Sequence, residues 1–326
     1  MEWAERIETM TSGYRDSCIL IAALKVGIFE ALGEDKRTSE EVATALGLDP
    51  RAVDVVMCAL AANEILRKED NEKFTIDPGA RPYLLPDGPE TMVSIIGHNR
   101  SMLRSWVQLD EVMRTGDSAP RQERTPDEME DFIRGMENVS RRSSEEVASK
   151  IDFSGARRLL DLGGGPGTAA LTFARANPSL KCVVFDLEGP QGIAKKQIKK
   201  ANLEGRVTTQ PGDFLTDDIG RDFDVVYISN IIHMLSPEQT LALLEKAKAA
   251  LVTGGRVLVK DFFLEDSRVA PPWTAQFSVN MLVNTEGGKS YTFTEMKDLL
   301  ARAGFGGLET VEIARNSMVI VGRRES

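Results

Sequence analysis

From residue 158 onward, short apolar runs alternate with helical stretches, the rhythm of strands buried on both faces and joined by crossover helices. Residues 158–162, 181–186, 206–210 and 223–229 read as four such strands, and 256–260 as a fifth. Residues 308–314 and 317–323 read as an antiparallel pair. Together they predict an α/β fold: a Rossmann-like, doubly wound, seven-stranded sheet with its last strand antiparallel. The first 90 residues follow a different pattern. An apolar helical repeat covers 19–32, and a second helix is capped at Thr38 and stopped at Gly47. A third helix starts at Asp49-Pro50 and runs to Ala62. Residues 65–67 and 73–76 flank the acidic turn 69–72 as a small hairpin, so the region reads as an all-helical winged-helix domain with a hairpin wing. Between the two parts, one long helix is predicted over 92–113, ended by Thr115-Gly116-Asp117, and another opens at Thr125-Pro126 with Met129, Phe132, Ile133, Met136 and Val139 on one side.

The first strand of the sheet empties into Asp161-Leu162-Gly163-Gly164-Gly165-Pro166-Gly167. Glycine serves there because the turn needs backbone angles that a Cβ forbids and because main chain must approach a ligand closely. A dinucleotide loop would place its third glycine at Thr168; here Gly167 comes one residue early. Asp161 would repel a phosphate and instead attract a cation or accept hydrogen bonds. Asp186 ends the second strand, where an acid accepts from both ribose hydroxyls. Gly212-Asp213-Phe214 follows the third strand, with Asp213 placed for an adenine amino group. The fourth strand runs into Ser229 and then His233, one of two histidines in the chain. An imidazole is a suitable base for a phenol or enol hydroxyl.

Composition narrows the partners. With 40 Lys and Arg against 50 Asp and Glu, the 326-residue chain carries a net charge of −10, which disfavours nucleic acid or an anionic membrane. Over residues 1–90 the balance is 10 basic to 18 acidic, a net of −8, so the winged helix is expected to pair subunits rather than read DNA. No apolar stretch of membrane-spanning length and no signal peptide is expected. Cys18, Cys58 and Cys182 sit in apolar patterns and predict buried, reduced thiols in a cytoplasmic protein. With no Cys-x-x-Cys, no metal site is expected.

Loop, strand-end acid and Gly-Asp-Phe occur in the order found in class I S-adenosylmethionine-dependent methyltransferases, which residues 155–326 resemble. The N-terminal region is similar to the dimerisation domain of the O-methyltransferases that include hydroxyneurosporene and acetylserotonin methyltransferases. The resemblance implies a homodimer with a winged-helix dimerisation domain (1–90), a helical connector lining the acceptor pocket (91–150) and a cofactor-binding catalytic domain (151–326). It implies S-adenosyl-L-methionine as cofactor and S-adenosyl-L-homocysteine as product. The cofactor would be held by Asp161, Gly163, Gly165, Gly167, Asp186, Leu187, Gly212, Asp213, Phe214 and Ser229. His233 coincides with the family's catalytic histidine, and Asp261 with the first of two flanking acids. The second acid falls on Ser290 and is missing, while Met234 replaces an aspartate. A bulky, largely apolar small-molecule acceptor is expected against His98, Met102, Trp106, Phe277, Asn280, Met281 and Asn284, with residues 262–292 closing the pocket. The expected reaction is methylation of a hydroxyl with His233 as general base. Methylation of carbon or sulfur, or a non-methylating hydroxylase or regulator that keeps the cofactor, remain alternatives.

Overall fold

Helices come first because the opening residues repeat apolar side chains every three or four positions. α1 (Trp3–Ser12) and α2 (Tyr14–Lys25) follow one another across Gly13, and α3 (Ile28–Leu32) starts after Gly27. The single helix expected over 19–32 is therefore two, because Gly27 adopts a left-handed φ of 86° that no helix contains. β1 (Arg37–Thr38) leads into α4 (Ser39–Leu46), where Thr38 and Glu41 cap each other's amides. Asp49 caps α5 (Pro50–Ala62) by accepting from the Ala52 amide. β2 (Leu66–Lys68) and β3 (Lys73–Ile76) form the hairpin, and β1 pairs with the other edge of β3. The expected hairpin wing is present in the otherwise helical region, and β1, which was not expected, extends it to a three-stranded sheet in the order β1-β3-β2. A strand of 2 residues such as β1 is too short for alternation to announce it.

α6 (Arg81–Leu84) precedes α7 (Val93–Trp106) and α8 (Leu109–Thr115). The one helix expected over 92–113 breaks at Val107 and Gln108, where Gln108 leaves the helical region at φ −101° and ψ 8°. The apolar spacing continues across this break, so periodicity did not reveal it. α9 (Pro126–Lys150) opens at the expected proline; the Val139 side chain lies outside the described residues. The structure, a computed structural model, describes residues 2–120, 125–313 and 317–325. The chain forms two compact units, one of residues 1–102 and 124–138, the other of 103–123 and 139–326.

In the second unit, β4 (Arg158–Leu162), α10 (Thr168–Ala176), β5 (Lys181–Asp186), α11 (Glu188–Lys200), β6 (Val207–Pro211) and β7 (Phe223–Ser229) alternate as the apolar runs required. α12 (Pro237–Ala250), β8 (Leu251–Asp261), α13 (Pro272–Asn284), α14 (Phe293–Arg302), β9 (Phe305–Ile313) and β10 (Ser317–Arg324) complete it; Ala314, the expected end of the sixth strand, lies outside the described residues. The strand order is β6-β5-β4-β7-β8-β10-β9, with β10 antiparallel to both neighbours. Successive residues face opposite sides of a sheet, and both sides are covered. Leu160, Leu162, Val226 and Val257 pack with Leu243 of α12 and Leu300 of α14. Leu159, Val184, Tyr227 and Leu258 pack with Phe173 of α10 and Ile198 of α11. The winding reverses between β4 and β7, which opens a crevice at the carboxyl ends of the strands.

Of the three thiols expected to be buried, only Cys182 is; Cys58 is half-buried and Cys18 exposed, because α2 turns Ile21 and Ala23 inward instead. Among the described residues, no helix is long and apolar enough to cross a membrane.

Candidate active site

The glycine loop is anchored to β5 by backbone. The Gly163 amide donates to the Phe185 carbonyl at 2.8 Å, and Asp186 accepts from the Gly165 amide at 2.7 Å. Gly163 has φ 70°, which favours glycine, and a Cβ there would stand 2.4 Å from Cδ1 of Ile231, so that side chain would have to shift. Gly165 differs: at φ 54°, a Cβ would meet nothing within 4 Å. The space over Gly165 is therefore open, and a ligand can approach the backbone there without displacing a side chain. Gly167 begins α10 without offering a side-chain cap, and Asp161 supplies it by accepting from the Ala170 amide at 3.1 Å. Of the two roles open to Asp161, it takes that of hydrogen-bond acceptor. Burial pushes its carboxyl up to about 7.

Asp186 also accepts from the Leu187 amide at 2.7 Å through its other oxygen. Each oxygen keeps a second acceptor position, which suits a pair of vicinal hydroxyls. Burial raises this carboxyl above the usual range, while the two amides pull it back. Leu187, 56 % exposed, offers a bare apolar surface beside it. Gly212 donates its amide to the Asp186 carbonyl at 3.0 Å, and Gln191 ties that carbonyl to the end of β6. Asp213 uses Oδ1 to accept from the Leu215 amide at 2.8 Å, fixing the loop, and Phe214 packs half-buried against the core below it.

β7 ends at Ser229. Asn230 then takes a left-handed φ of 57°, and a short 3₁₀ turn (Ile232–Met234) carries His233. His233 Nδ1 stands 2.7 Å from Asp261 Oδ1, and both side chains are buried. Asp261 is itself fixed, since Oδ1 also accepts from the Phe262 amide at 2.8 Å and Oδ2 from the His233 amide at 3.3 Å. A carboxylate can only accept, so Nδ1 carries a proton, and in the neutral imidazole Nε2 is then the nitrogen with the lone pair. The imidazole meets Phe277 edge-on at 4.9 Å. Trp273 stacks on Phe277 at 5.3 Å and 9°, and Phe262 packs against both rings.

Trp273, Phe277, Asn280 and Asn284 share one side of α13 at helical spacing. The Trp106 indole donates to Asn280 Oδ1 at 2.8 Å, and the Asn284 side-chain Nδ2 donates to the same oxygen at 3.0 Å. The structure thus joins Trp106, Asn280 and Asn284 in one network and sets Phe277 against His233. Met281 is buried on another side of α13. His98 and Met102 belong to the other unit, where His98 packs against Phe132 at 5.1 Å. Ser290, at the place of the family's second acid, is buried with its hydroxyl directed at the Thr274 carbonyl, 3.4 Å away. Met234 is 39 % exposed beside the histidine.

Sequence reasoning missed Asn230, Lys260 and Phe262. Lys260 is almost fully buried, with Nζ bonded to Asn230 Oδ1 at 2.9 Å, and burial pushes its ammonium down to about 8. A charged residue near the end of the apolar run Val257-Leu258-Val259 was the available signal.

A doubly wound sheet with a glycine loop, a strand-end acid and a histidine–aspartate pair at its carboxyl edge is the arrangement of an enzyme that uses a nucleoside cofactor. The O-methyltransferase domain matches residues 116–306, and the O-methyltransferase dimerisation domain matches residues 8–85. The 3-hydroxy-5-methyl-1-naphthoate 3-O-methyltransferase of Streptomyces sahachiroi is 30 % identical over 94 % of this chain and 90 % of its own. The L-tyrosine C(3)-methyltransferase of Streptomyces lavendulae is 28 % identical over 88 % of this chain and 82 % of its own. The fold matches human N-acetylserotonin methyltransferase in complex with S-adenosylmethionine at a TM-score of 0.90 and 24 % identity, covering 100 % of this chain and 99 % of that one. The chain belongs to the O-methyltransferase family and is an S-adenosylmethionine-dependent methyltransferase.

Proposed function

We propose that the enzyme methylates a hydroxyl on a bulky, largely apolar aromatic small molecule, with His233 as general base, and works as a cytoplasmic homodimer. The observation that carries this reading is the 2.7 Å contact of His233 Nδ1 with Asp261 at the carboxyl edge of β7 and β8. It leaves Nε2 as the free acceptor for an acidic proton. When bound, S-adenosylmethionine supplies an electrophilic methyl group on a sulfonium. The open space over Gly165 fits that ligand, with Asp186 taking the ribose hydroxyls. Gly163, Gly167 and Gly212 bring backbone close, while Leu187, Asp213 and Phe214 flank the adenine and Ser229 stands at the strand end. Phe277 and Trp273 give the acceptor a flat apolar wall, and Asn280 and Asn284 its polar end. The name of the naphthoate relative puts its methyl on an aromatic hydroxyl, which supports the assignment. Free thiols fit a reducing compartment, and residues 1–90 pair the protomers while 151–326 carry the chemistry.

Release of S-adenosylhomocysteine with a panel of phenols, thiols and acidic carbons tests the acceptor class. On the best acceptor, His233→Ala should lower kcat by about 10² to 10⁴ with cofactor affinity nearly constant, the usual worth of positioned proton removal. Near-normal turnover in that variant overturns the base and moves the reaction to a thiolate or an already acidic carbon.

A further inference from the structure

Lys260 lies outside the histidine–aspartate pair but contacts two residues next to it, Asn230 and Phe262. Its side chain is 1 % exposed, and a buried ammonium is costly unless polar partners replace water. Asp261, its neighbour on β8, is committed to His233 and to the Phe262 amide. Lys260 instead has the Asn230 side-chain carbonyl at 2.9 Å and the face of Phe262, 4.9 Å from the ring centroid.

Each partner leads to the site. Asn230 sits between Ser229 at the end of β7 and the turn that carries His233, in the left-handed region that L side chains rarely occupy. Its amide donates to the Lys260 carbonyl at 3.0 Å and its side chain accepts from the Lys260 ammonium, so one lysine grips this strained residue from both ends. Phe262 packs on Phe277, whose ring meets the His233 imidazole.

We propose that Lys260 is a positioning residue, whose ammonium holds Asn230 in its left-handed turn and so sets the place of His233 relative to the cofactor end of β7. The proposal rests on His233 as the base. A misplacement of about 1 Å costs about 10²-fold in rate, so a tether at the hinge of this turn has leverage on kcat without touching substrate.

The test compares Lys260→Met, Asn230→Gly and the double variant. Lys260→Met removes the desolvation cost of the ammonium but leaves the Asn230 side-chain oxygen without its donor, so the melting temperature should fall modestly and the variant should still fold. Its kcat should fall by about 10- to 100-fold with the KM for S-adenosylmethionine near wild type, and amide exchange over residues 229–236 should quicken. Glycine takes a positive φ at no steric cost, so adding Asn230→Gly should recover part of the lost kcat, a rescue that a merely structural lysine would not show. Wild-type kcat and wild-type exchange in Lys260→Met overturn the proposal. Should Lys260→Met fail to fold, Lys260→Leu removes the same bond with a smaller apolar side chain and is read by the same outcomes. His233→Ala measured alongside separates the two readings: full turnover there removes the base, whereas faster exchange in Lys260→Met still upholds the tether.

Discussion

Asp186 binds two backbone amides, from Gly165 and Leu187, and still presents an acceptor on each oxygen. One side chain therefore shapes the glycine loop and would receive the ribose. Asp186→Ala should weaken S-adenosylmethionine binding by about 1 to 3 kcal/mol, the worth of lost charge-assisted bonds to hydroxyls. Calorimetry would show it as a rise in Kd, and a Kd equal to wild type would remove Asp186 from the cofactor site. Asp186→Asn should lose less, because its amide keeps one acceptor oxygen for either the loop or a hydroxyl.

At the scale of elements, the strand–loop–helix unit β4–α10 depends on Asp161, which caps a helix whose own cap is a glycine. Burial raises its carboxyl from an ordinary 3.8 to about 7. Between those values the folded chain keeps a proton that the unfolded chain releases, so this contribution to stability is complete below the unfolded value and is lost as pH rises through the folded one. Asp161→Asn keeps an acceptor oxygen without the charge. It should gain stability over wild type above pH 7 by up to about 4 kcal/mol, and the gain should shrink toward zero near pH 4. Thermal melts of ligand-free protein at both ends of that range check this; a difference that does not vary with pH would refute it. Caps and strands of this kind are legible because their chemistry is local: Thr38 with Glu41, Asp49 with Pro50, and β4, β5 and β7 fall where the pattern puts them. The breaks at Gly27 and Val107 were not, since apolar spacing runs on through both. The contact of His233 with Asp261 spans 28 residues, and no local rule in the chain announces it. Resemblance suggested that partner, and it had nothing to say of the grip of Lys260 on Asn230.

For the whole molecule, the question is what covers the first helix. Trp3, Ile7 and Met10 of α1 and Tyr14 at the start of α2 fall at spacings of four, three and four residues, and they are 72 %, 57 %, 75 % and 58 % exposed. Large apolar side chains lined up this way on the surface mark an interface rather than a solvated face. The dimerisation domain matched at residues 8–85 begins within this helix, which makes a second copy of the chain the expected cover. Ile7→Glu combined with Met10→Glu places two like charges in that stripe while leaving the core of the unit untouched, since α1 buries no residue within its own chain. The variant should sediment as a monomer at concentrations where the wild type is a dimer. Its S-adenosylmethionine affinity should persist, because the glycine loop and Asp186 belong to the other unit. A variant that stays dimeric in sedimentation would move the interface off α1, to another surface of residues 1–90.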